Sequence, residues 1–157
     1  MTSNLKPKKP SRILVAVDGS DTSMKAADYA ITLAKNNDNN EAEIFVINVI
    51  DIPPMFKMLP SDTRKQLIRI GRQHASQIFD TVEQMAKRHD VKTNKINTEM
   101  IETSISAADE IIRYAQEKEI GLIAVGTKGR SGMSKALLGS VASKVVTYSP
   151  CSVLVVR

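Results

Sequence analysis

Four glycines, Gly126, Gly129, Gly132 and Gly139, stand in one run that reads GTKGRSGMSKALLGS from Gly126 to Ser140. Hydroxyl and basic residues fill the spaces between them. From Ile120 to Arg157 there is no Asp or Glu, while Lys128, Arg130, Lys135, Lys144 and Arg157 supply the whole formal net charge of +5. Glycine lets the main chain approach a ligand closely, and backbone N–H groups at a turn or a helix start bind anions where no carboxylate repels them. A phosphate-bearing ligand is therefore the first expectation. A second group, Asp18 to Ser23 (DGSDTS), offers a carboxylate followed by glycine and hydroxyls. Asp18 suits either a tight turn or the hydroxyls of a sugar.

The spacing excludes two common phosphate loops. Gly121 and Gly126 have the separation of a P-loop, but Thr127-Lys128 follows in the wrong order. No G-x-G-x-x-G is present, so the dinucleotide-binding fingerprint is missing. What stands instead is Gly126-x2-Gly129-x9-Gly139-Ser140.

Alternating elements must position these residues. Arg12 to Val17 is a short apolar run ended by Asp18-Gly19, the pattern of a buried parallel strand. Thr22 to Lys35 follows as a helix, with Ser20 or Asp21 as cap and Ala26, Ala27, Ala30, Ile31 and Ala34 as its packing stripe. Ala42 to Ile50 is a second strand. Ile52 to Pro60 is a loop, and its Met55, Phe56, Met58 and Leu59 suit a flap over the core, a surface for a protein partner or a lid over the bound ligand. Ser61 to His89 is a long helix packing through Leu67, Ile70, Ile78, Val82 and Met85. Asn94 to Ile101 is a third strand, Ser106 to Glu117 a helix and Leu122 to Val125 a fourth strand. After the glycine run come a helix from Leu138 to Tyr148 and a last strand from Ser152 to Val156.

This order implies an α/β fold, a mostly parallel sheet with helices on both faces. A reversal of strand order would put the ligand crevice beyond the carboxyl ends of the strands, where Asp18-Gly19-Ser20 and the residues from Gly126 onward both fall. Residues 1–11 read as a disordered basic arm and 12–157 as a single domain.

The chain resembles the universal stress proteins, in particular their UspA-type, ATP-binding branch. The resemblance rests on ILVAVDGSDTS, on FVINVID and above all on LIAVGTKGRSGMSKALLGSVASKVV with SPCSVLVV after it. It implies a five-stranded parallel sheet of order 3-2-1-4-5. It also implies ATP, with AMP or ADP as alternatives, and Mg²⁺ carried on the phosphates. By position, Asp18 would meet the ribose or the adenine end, Ala16, Val17 and Val49 would form the adenine pocket with Val125 near it, and Gly126 would reach the ribose. Gly129, Arg130, Gly139, Ser140 and Val141 would hold the phosphates. Lys128 stands where many members carry His or Arg, and the third-strand end, Ile101 to Ser104, lacks a glycine that many members have. The resemblance further implies a homodimer joined through Ser152 to Val156. An apolar strand at a sheet edge with no charge before Arg157 gives the same expectation on physical grounds.

Two other readings stand beside nucleotide-dependent stress signalling. One is an AMP or adenine-ligand sensor acting through a partner. The other is an adenylating enzyme, since DGSDTS partly matches the SGGxDS loop of ATP pyrophosphatases. No catalytic set is evident, and any hydrolysis is expected to be slow. His74 and His89 lie on one helix without metal-ligand spacing.

Composition agrees with a binding module. With 42% hydrophobic and 25% charged residues the balance is globular. Aromatics are only 4%, with no Trp, and no basic run is interleaved with stacking residues, which argues against nucleic acid. No apolar run approaches a membrane span. The single Cys151 fits a reducing cytosol, so a cytoplasmic protein is expected.

Overall fold

The computed structural model describes residues 9–36, 42–128 and 137–157. Its strands are β1 (Arg12–Ala16), β2 (Glu43–Asp51), β3 (Ile96–Thr103), β4 (Leu122–Gly126) and β5 (Ser152–Val156). They form one sheet of order β3-β2-β1-β4-β5 with every neighbouring pair parallel. The helices are α1 (Asp21–Lys35), α2 (Ser61–Arg88), α3 (Ala107–Glu117) and α4 (Ser140–Tyr148).

Strand side chains alternate between faces, so the central strands are apolar on both. Ile13, Val15, Ile44 and Val46 pack with Ala26, Ala27, Ala30, Ile31 and Ala34 of α1 and with Ile78, Val82 and Ala86 of α2. Leu14, Phe45, Ile47 and Ile123 face the other way, against Ile111 and Tyr114 of α3 and Ala142 and Val145 of α4. The alanine stripe keeps α1 close to the sheet.

Two boundaries move by two residues from the sequence reading, each for a local reason. The third strand runs two residues later than expected, because Thr93–Lys95 forms a 3-10 turn and the long β2 pairs as far as Asp51 with Thr103. The fourth helix starts at Ser140 and not at Leu138, because Gly139 is extended (φ −60°, ψ 156°) and its N–H bonds the carbonyl of Thr127. The loop after β2 contains a 3-10 turn, Pro54–Met58.

The long helix also departs from its expected packing. Ala75, Ile78, Val82 and Ala86 are buried, whereas Leu67 and Ile70 are exposed. A Cβ at Gly71 would lie 2.8 Å from Cδ1 of Ile50, so the helix crosses the end of β2 at that level. Its first turns therefore reach past the sheet, where Leu67 and Ile68 line only a shallow cavity with Ile50, Ile52 and Phe56.

Candidate functional site

From β1 the chain runs through α1 to β2 on one side, and from the neighbouring β4 through α4 to β5 on the other, so a crevice opens at the carboxyl ends of β1 and β4. Its volume is about 220 Å³. Nine of the residues expected there line it: Ala16, Val17 and Asp18 after β1, Val49 from β2, Val125 and Gly126 from β4, and Gly139, Ser140 and Val141 at the start of α4. Gly129 and Arg130 lie outside the described residues. One wall was not anticipated. Ala107 and Ile111 of α3 and Ala142 of α4 also line the crevice. These are ordinary packing residues of amphipathic helices, and nothing in the chain marks them as facing a ligand.

Asp18 is held by the loop it begins. Its Oδ1 accepts from the Ser20 N–H at 2.9 Å and from the Ser20 hydroxyl at 2.6 Å, and its own N–H donates to Ser23 Oγ at 3.3 Å. Gly19, at φ 84°, makes the left-handed turn between them. Behind the loop, the buried Asn48 donates from Nδ2 to the carbonyl of Val17 at 2.7 Å, continuing the β1–β2 ladder where the strand ends. The carboxylate is thus held in one orientation beside the apolar side chains of Val17, Val49 and Val125 in the crevice lining.

The opposite rim is the start of α4. α1 and α3 are capped by the side chains of Ser20 and Ser106, but at α4 the cap residue is Gly139 and no side chain caps the helix. The first N–H groups of a helix have no intrahelical partner. Here they belong to residues lining the crevice, with the positive end of the helix dipole behind them. Gly139 N–H to Thr127 carbonyl, at 2.7 Å, brings this helix start back to the end of β4.

Two residues of the acid-free segment make structural contacts that the sequence did not show. Gly126 was expected to let the chain approach a ligand. It does line the crevice, but a Cβ on it would meet Thr22 Oγ1 at 2.5 Å and the Ser23 nitrogen at 2.7 Å. Its lack of a side chain lets β4 approach the first turn of α1. Lys144, one of the cations of the acid-free segment, turns away from the site. Its Nζ bonds Asp109 Oδ2 at 2.6 Å and so joins α4 to α3. The Lys144 hydrogen bond, with the Ser106 hydroxyl second, holds the Asp109 carboxyl below its ordinary range. Lys128 is the cation at the crevice among the described residues. His89 Nε2 lies 2.8 Å from Asp28 Oδ1, remote from the site. Among the described residues no group of three His, Cys, Asp or Glu side chains is placed to hold a metal ion.

The family model of the universal stress protein family matches residues 10–157. The chain belongs to the universal stress protein family. A curated relative, universal stress protein MJ0531 of Methanocaldococcus jannaschii, is 39% identical over 147 residues, which cover 93% of this chain and 81% of the relative. Among solved structures, the universal stress protein UspA from Lactobacillus plantarum superposes with a TM-score of 0.76 at 26% identity, covering 93% of this chain and 97% of its own. The universal stress protein from Archaeoglobus fulgidus in complex with dAMP shares the fold at 16% identity, with a TM-score of 0.65 and coverage of 93% and 97%. The family's five-stranded parallel sheet, order 3-2-1-4-5, is the sheet seen here. No helix among the described residues is long and apolar enough to cross a membrane.

Proposed function

We propose that this protein binds ATP in the crevice between β1 and β4 and acts as a nucleotide-dependent stress-response or signalling module. The observation that carries the reading is the convergence of three unlike surfaces on one slot. An oriented carboxylate, Asp18, suits ribose hydroxyls. Apolar walls from Val49, Val125 and Ile111 suit a planar base. The uncapped start of α4 at Gly139-Ser140, with Lys128 nearby, suits phosphates. Mg²⁺ would be carried by the phosphates. Among the described residues no His or Glu lines the crevice to activate water, so hydrolysis would be slow.

A second reading, an AMP or adenine-ligand sensor, is favoured by ligands in the same fold. Besides the dAMP complex, universal stress proteins have been solved with cAMP and, for an Arabidopsis protein, with AMP. Titration calorimetry with ATP, ADP and AMP separates the two. Affinity rising with each added phosphate is the expected result. Equal or tighter binding of AMP would replace the ATP reading with the sensor. The proposal includes a homodimer paired through β5, whose Val153, Leu154 and Val155 are only half-buried at the sheet edge.

A further inference from the structure

The end of β4 and the first turn of α1 are joined by a contact that no ligand-facing role explains. Thr22, in that first turn, meets the backbone of Lys128 twice. Its hydroxyl donates to the Lys128 carbonyl at 2.7 Å, and its Oγ1 accepts from the Lys128 N–H at 3.4 Å. The backbone bond from Thr127 N–H to the Val156 carbonyl is the last to β5, and a side chain of α1 then holds the next residue, two past the end of β4. Ser20 Oγ also stands 3.3 Å from the same carbonyl, but a hydroxyl has one proton, and that of Ser20 is given to Asp18 Oδ1 at 2.6 Å. The Lys128 carbonyl is thus left to Thr22. Thr22 itself is half-buried and is not part of the crevice lining, whereas Gly126, Thr127 and Lys128 are. The missing Cβ of Gly126 is what lets the hydroxyl in, since that Cβ would stand 2.5 Å from Oγ1.

We infer that Thr22 is a positioning residue for the phosphate side of the site: its hydroxyl fixes the backbone at Lys128, and with it the cation, relative to Asp18. The inference rests on the nucleotide-binding reading for its consequence. For its structural basis it rests only on the Thr22–Lys128 contact. Asp18 and Thr22 belong to one short segment, four residues apart, so the clamp sets the distance between the ribose-facing carboxylate and the β4 loop. A ligand that spans both would feel its loss. One that stops at the ribose would not.

The test compares wild type, Thr22→Val and Thr22→Ser. Valine keeps the shape of threonine and removes both hydrogen bonds, while serine keeps the hydroxyl. Calorimetry with ATP and with adenosine is paired with NMR amide exchange at Lys128 in the nucleotide-free protein. Losing a hydrogen bond that orders a binding group should weaken ATP about tenfold in Thr22→Val, leave adenosine within about twofold, and be reversed by Thr22→Ser. The Lys128 amide should exchange about tenfold faster in Thr22→Val alone. Unchanged ATP affinity, or equal losses for ATP and adenosine, would overturn the inference. If wild type bound neither ligand, the nucleotide reading would fail, and Lys128 exchange would still judge the clamp: equal exchange in wild type and Thr22→Val refutes it, faster exchange in the variant upholds it.

Discussion

Gly126 shows how one residue can answer two demands. The slot needs a narrow floor at the end of β4, and α1 needs to bring its first turn against that strand. Adding a Cβ would force it into Thr22 Oγ1 and into the backbone at Thr22 and Ser23, and those backbone atoms cannot move without shifting the N-terminal turn of α1. Gly126→Ala should therefore cost about 1–3 kcal/mol of stability, the usual range for overpacking, read from urea unfolding. A variant as stable as wild type would mean that α1 can shift freely, which would also undo the role given to Thr22. The glycine run itself was legible in the sequence, because glycine with hydroxyls and no acid has few uses. The reason for Gly126 was not legible. It depends on Thr22, and the bond between Thr22 and Lys128 spans 106 residues. The ends of α2 and α3, by contrast, fall within a residue of the sequence reading, although Asp90 (φ 56°) and Glu119 (φ 51°) stand at the left-handed position where glycine is usual, with Val91 and Ile120 folding back onto Ala86 and Ala115.

At the scale of elements, the strands were easiest to read and the long helix hardest. β5 falls where its run of β-branched residues lies, and β1 and β4 are apolar on both faces as parallel central strands must be. α2 carries a helical apolar spacing along its whole length, but only the part lying over the sheet buries it, and periodicity alone cannot tell how long the sheet is. The position of α4 relative to α3 is set in part by the Lys144–Asp109 bridge, and that contact predicts a pH dependence. The Asp109 carboxyl is held below its ordinary range in the fold, so on acidification the unfolded chain takes up the proton first. Whatever the bridge contributes is intact above the ordinary carboxylate range and is lost as pH falls through the depressed value. The stability difference between wild type and Lys144→Ala should thus be constant near neutrality and shrink in acid, as measured by denaturant unfolding at a series of pH values. A gap that stays constant from about pH 6 to about pH 2 would show that the bridge does not couple to folding. The pair is exposed, and screening by salt keeps the effect small.

At the scale of the molecule, the acid-free stretch from Ile120 to Arg157 divides into two regions with different work. Its first part brings Lys128 and the start of α4 to the crevice, and its last part is the outer strand of the sheet. An apolar strand with its outer backbone groups unpaired is a template for another strand, and a second copy of the same edge satisfies both at once. Light scattering on the eluted protein should therefore give about twice the chain mass of 17.2 kDa. A folded species at the single-chain mass would remove β5 as an interface. The central claim is the nucleotide site, and NMR titration of the ¹⁵N-labelled protein with ATP tests it most directly, because it reports binding and place together. The account predicts saturable shifts concentrated at Ala16 to Asp18, at Val49, at Val125 to Lys128 and at Gly139 to Ala142. The absence of any shift at millimolar ATP, or shifts centred away from the crevice, would contradict it.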